Sequence, residues 1–93
     1  MHIEKKQLIS EVEIFLDELK KKNPGRESLE WYLINNLNNY LISLTAAETA
    51  KEIKLATAKF DMFCIDCMNW DTPLFKRCAN ISDIGFKIAM KNS

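Results

Sequence analysis

Apolar residues in this chain recur at steps of three and four in four separate stretches, and that period belongs to an α-helix with one buried face. The first stretch carries Leu8, Val12, Phe15 and Leu19, with Ile9 and Leu16 beside them. The second carries Leu33, Leu37, Leu41 and Leu44, flanked by Ile34 and Tyr40. The third runs Ala46, Ala50, Ile53, Thr57, Phe60, Cys64 and Cys67, with the alternating steps of a bundle seam. The fourth runs Leu74, Cys78, Ile81, Gly85 and Ile88, with Phe75, Ser82 and Ala89 on its flanks. No stretch of useful length alternates with the period of a strand. Two glycines and two prolines in 93 residues leave few turns, which favours a few long elements. The pattern therefore predicts an all-α single domain over residues 1–93, with helices near 3–21, 29–44, 46–70 and 73–90. Short connections make sequential helices antiparallel neighbours, so the expected architecture is an up-down-up-down four-helix bundle.

Local signals mark the ends. Lys20, Lys21 and Lys22 complement the negative end of the first helix dipole, and Asn23-Pro24-Gly25 stops it. Ser28 is placed to cap the second helix. Thr45 followed by Glu48 has the capping-box spacing, so a tight corner is expected at Thr45, with one continuous helix through Thr45 as the competing reading. Asp71-Thr72-Pro73 reads as the start of the fourth helix, with Pro at its first position. Gly85 on an inner face costs about 1 kcal/mol of helix propensity, and close approach of another helix would explain it.

Charge narrows the function classes. Thirteen basic and thirteen acidic residues cancel, whereas phosphate-binding domains carry a basic excess. The balance is uneven along the chain. Residues 28–72 are acidic and residues 73–93 basic, which suggests that facing helices complement each other. No nucleic-acid partner is expected. Leu55-Ala56-Thr57 and the residues before it superficially resemble the opening of a helix-turn-helix, but the apolar stripe continues unbroken where that motif needs a turn. No apolar run approaches membrane-spanning length, and the start of the chain lacks the apolar core of a secretory signal. Three cysteines, an odd number, argue against a disulfide framework. A cytoplasmic protein with reduced thiols and no membrane partner is the expectation.

Cys64-Ile65-Asp66-Cys67 has redox-motif spacing. A redox CxxC sits at an exposed helix start, where the dipole lowers the first thiol's pKa. This one falls late in a long helix, on the core stripe, so Cys64, Cys67 and Cys78 read as buried structural thiols. His2 is the one histidine, and no hydrolase, metalloprotease or phosphate-loop motif occurs. The chain reads as a non-enzyme, with no cofactor and no metal.

A second face on the second helix is less easily absorbed. Trp31, Asn35, Asn38 and Ile42 repeat the helical spacing about 120° away from the leucine stripe. Tyr32 borders them. Tryptophan and tyrosine dominate the energetics of protein interfaces. On the third helix Leu55 and Met62 point outward between charges. A small protein-binding protein needs only a stable scaffold and one such surface. The leading expectation is an inhibitor of the immunity-protein or antitoxin kind, bacterial in type, that neutralises a basic toxin-like partner by direct binding. Its candidate contact residues are Trp31, Tyr32, Asn35, Asn38 and Ile42, with Glu48, Glu52 and Asp66 as a charged secondary patch. The alternatives are a structural or regulatory helical homodimer through the same strips, and a CxxC thiol-redox protein.

Overall fold

The structure, a computed structural model, describes residues 2–92. It contains α1 (His2–Lys21), α2 (Leu29–Ala46), α3 (Ala50–Cys67) and α4 (Pro73–Lys91), and no strand among the described residues. Helices approach one another in chain order, α1 on α2, α2 on α3 and α3 on α4, and α4 closes the ring against α1. The registers are antiparallel. Glu4 pairs with Lys91 and Glu18 with Arg77, so climbing α1 means descending α4. Cys64 meets Cys78 while Thr57 lies against Gly85, and the same reversal holds between α3 and α4. This is the expected up-down-up-down bundle.

The leucine-type stripes form the core. Leu8, Val12, Phe15, Leu16 and Leu19 of α1 meet Leu33, Leu37, Tyr40 and Leu44 of α2. Ile53, Thr57, Phe60 and Cys64 of α3 meet Cys78, Ile81, Gly85, Ile88 and Ala89 of α4. Burying each large aliphatic or aromatic side chain contributes about 1.5–3 kcal/mol, which is why this phase and no other is selected.

Three helices start on side-chain caps. The Ser28, Thr49 and Thr72 hydroxyls accept from the backbone N–H of Trp31, Glu52 and Phe75, each at 3.2 Å. Pro73 follows Thr72 at the first turn of α4. α1 is stopped by Asn23, which takes the left-handed conformation at φ 48°, while Gly25 has an ordinary negative φ.

Two boundaries differ from the sequence reading. The expected corner at Thr45 lies further on, because α2 continues through Thr45 to Ala46 and α3 begins only at Ala50. Thr45 does not cap a helix; its hydroxyl donates to the Leu41 carbonyl at 2.8 Å. The working capping box is Thr49 with Glu52. Glu52 Oε1 accepts from the Thr49 hydroxyl at 3.0 Å and from the Glu48 N–H at 3.3 Å. Lys5 fixes the corner from outside, its ammonium donating to the carbonyls of Ala47 at 2.6 Å and Thr45 at 3.4 Å. At the far end α3 stops at Cys67, short of the expected Trp70. Met68 is extended there, at φ −119° and ψ 150°, and turns its own side chain into the core.

The expected charge complement also changes partner. Among the described residues the basic α4 pairs with α1, through Arg77–Glu18 and Lys91–Glu4, and not with the acidic middle of the chain.

Candidate functional site

The outer side of α2 and α3 collects the features that the core does not use. On α2 Tyr32, Asn35, Asn39, Ile42 and Ala46 form an exposed row at helical spacing. Trp31 and Asn38 lie beside that row and are half-buried. Asn36, Asn39, Tyr40 and Ser43 border a hollow shared with Ala56, Lys59 and Phe60, so that flank faces α3. By helical phase Trp31 and Asn38 lie on the opposite flank, the side on which α1 covers the helix. Trp31 is not sealed in. Its ring stands edge-on to Tyr32, with centroids 5.0 Å apart and planes at 84°. Tyr32 is 44% exposed and Ile42 is 67% exposed.

The acidic candidates do not form one cluster. Glu48 and Glu52 stand at the start of α3, and Asp66 near its end. That separation is about 20 Å at 1.5 Å per residue. Glu52 is committed to its cap. The hydrogen bond from Thr49, then that from the Glu48 backbone, hold its carboxyl below the ordinary carboxylate value. Asp66 is exposed, and by the antiparallel register it shares the end of the bundle where α2 carries Trp31 and Tyr32. Among the described residues the ion pairs join Asp17 to Lys21, Glu18 to Arg77, Asp83 to Lys87 and Glu4 to Lys91. None of these involves an acid of the segment 28–72.

A shallow groove of about 650 Å³ runs between the two helices further along. Ser43, Ala46, Ala56 and Ala58 line it with small side chains, and Leu55 and Met62 rise beside it, 61% and 63% exposed. The sequence placed Leu55 and Met62 outward, but not the groove, because a groove depends on how two helices meet. Trp70 was given no role by the sequence. It is 60% exposed in the α3–α4 turn, its indole N–H donating to the Ile65 carbonyl at 3.0 Å and its ring stacked over Phe75. A Trp just past a stripe, followed by a helix-start signal, was the available hint.

The three thiols part company. Cys64 and Cys78 are buried and face each other across α3 and α4. Cys67 is exposed, against the expectation that all three line the core. The helix ends at that residue, and Met68 occupies the inward position instead. The hydrogen bond with Cys78 and then burial push the Cys64 thiol up, away from the reactive thiolate range. The CxxC spacing thus joins one buried and one exposed sulfur of different character.

No protein-family model, curated protein or solved structure matches this chain. No helix of the described residues is long and apolar enough to cross a membrane.

Proposed function

We propose that this protein is a non-catalytic binding protein that neutralises a basic partner protein by direct contact, in the manner of immunity and antitoxin inhibitors. The contact would centre on Tyr32 and Asn35 with Trp31, at the end of the bundle that also carries Asp66 and Trp70. One observation carries the reading: an aromatic pair, Tyr32 exposed and Trp31 half-buried beside it, stands at the end of the bundle that carries the exposed Asp66, which joins no ion pair among the described residues. Rigid aromatic side chains supply large contact area at low entropic cost. Unneutralised acids raise the rate at which a basic surface arrives. Three free cysteines fit a reducing cytoplasm as its place of action.

The test is neutralisation of the product of the adjacent gene. That protein is expressed with and without this chain, and growth and complex formation are measured. The reading expects rescue of growth and a stable complex, with Tyr32→Ala and Asn35→Ala each weakening the complex by tenfold or more, about 1.4 kcal/mol. Binding that is untouched by both variants would remove the proposed surface. Glu52→Lys is a poor probe, since it also dismantles the α3 cap.

A further inference from the structure

We infer that the α2–α3 groove is the seat of a second copy of this chain, docked about a two-fold axis. The groove and the ridge beside it lie next to each other on one face. Small side chains, Ser43, Ala46, Ala56 and Ala58, line the groove. Leu55 and Met62, two helical turns apart, form the ridge, and Ile42 rises from α2 on the same outer side. A ridge adjoining a groove is self-complementary under a two-fold rotation: each copy's ridge enters the other's groove.

The order of residues along α3 fits antiparallel pairing. Its outward row reads Lys51, Leu55, Ala58, Met62 and Asp66, with the small Ala58 midway. Rotation about a point near Ala58 sets Leu55 opposite Met62 of the copy and Lys51 opposite its Asp66. Each contact then occurs twice. Lys59 on the groove wall falls near the axis, where its methylene stem lines the apolar contact and its ammonium stays in water. The face carries both signs interspersed, Lys51, Lys54 and Lys59 among Glu48, Glu52, Asp61 and Asp66. No block of one sign meets a like copy, and the Lys51–Asp66 pairing is complementary. The inference does not rest on the inhibitor reading, whose test residues Tyr32 and Asn35 lie nearer the other end of α2; Asp66 belongs to both surfaces, so the charge swap is read by self-association alone.

The experiment is sedimentation velocity on the full chain over a concentration series, with light scattering for mass. The expected result is conversion from 10.8 kDa to twice that mass as concentration rises. Leu55→Glu and Met62→Glu should each weaken self-association by tenfold or more, while circular dichroism shows the helices intact. Lys51→Asp should also weaken it, and Lys51→Asp combined with Asp66→Lys should restore it, which a merely apolar stickiness would not do. Three outcomes overturn the inference: a monomer up to about 1 mM, a dimer indifferent to Leu55→Glu and Met62→Glu, or failure of the charge swap to restore pairing. A monomer that still neutralises its partner would refute the dimer and leave the inhibitor reading standing.

Discussion

Gly85→Ala is the substitution for which helix propensity and packing give opposite signs. On propensity alone, alanine in mid-helix should stabilise α4 by about 1 kcal/mol. The surroundings of Gly85 forbid it. A Cβ there would lie 2.5 Å from Thr57 Oγ1, 2.5 Å from the Tyr40 hydroxyl and 2.8 Å from Thr57 Cγ2. The Tyr40 and Thr57 hydroxyls are hydrogen-bonded to each other at 2.8 Å, and Thr57 donates onward to the Ile53 carbonyl at 2.8 Å. Tyr40 is also stacked on Phe60, with centroids 5.0 Å apart and planes within 4°. None of these atoms is the free end of a flexible chain. Overpacking costs about 1–3 kcal/mol, and disturbing a buried hydroxyl pair adds about 1 kcal/mol. After the propensity gain, Gly85→Ala should destabilise by about 2 kcal/mol. Thermal unfolding should then begin some 8–16 °C lower, at about 4–8 °C per kcal/mol for a domain this size. The assay is a double-mutant cycle by urea unfolding with Thr57→Ala. Thr57→Ala removes two of the three clashing atoms, so the added methyl of the double variant fills the space that threonine vacates. The double variant should be more stable than the two single losses predict by at least about 1 kcal/mol. If Gly85→Ala alone raises stability, or the two losses simply add, the close approach of α4 to α3 and Tyr40 is wrong.

Three further outcomes follow from the same atoms. Thr49→Ala should cost about 1 kcal/mol by loss of the α3 cap, whereas Thr45→Ala should stay within about 0.5 kcal/mol; urea unfolding of the two variants compares them directly, and the reverse order would return the corner to Thr45. In the folded protein a disulfide reagent should label one thiol rapidly, and Cys67→Ser should abolish that reaction; fast labelling of two or more sulfurs would refute the burial of Cys64 and Cys78. Burial, eased in part by Thr57 and reinforced by Asp61, pushes the Tyr40 phenol up to about 12 from 10.0. The folded state then keeps a proton that the unfolded chain releases, so stability should fall with rising pH between about 10 and 12, by about 1.4 kcal/mol per unit. Tyr40→Phe should flatten that part of the slope, as read from urea midpoints at each pH.

Helical phase made the core legible, because a buried stripe is written at a fixed angular step and needs no knowledge of the partner. Leu33, Leu37 and Leu44 could be placed without knowing what they touch, and Gly85 could be marked as a site of close approach from its cost alone. The ends of helices were less legible. Thr45 with Glu48 and Thr49 with Glu52 carry the same spacing, and sequence alone has no means of ranking them. Tertiary contacts decide: Lys5 of α1 holds the carbonyls of Thr45 and Ala47, and Ala47 leaves the helix with its side chain 2% exposed. The far end of α3 repeats the device. Met68 adopts an extended backbone and is 6% exposed, so it takes the inward position that the stripe assigned to Cys67.

At both corners, then, a residue just outside the helix completes the core, and the residue before it is turned to the surface. Ala46 and Cys67 are exposed for that shared reason. The consequence reaches the outer face. Because Ala46 is released from the interior, it becomes part of the small-residue lining between Ser43 and Leu55. Had α3 begun at Ala46, that residue would face the core, and the groove beside Leu55 and Met62 would lose one of its lining residues. The groove thus depends on where the chain breaks between α2 and α3. Removing the later cap, with Thr49→Ala in a chain that retains Thr45 and Glu48, favours the earlier break and should therefore weaken self-association as well as stability. A Thr49→Ala protein that is destabilised yet associates as tightly as the parent would show that the corner and the groove are independent.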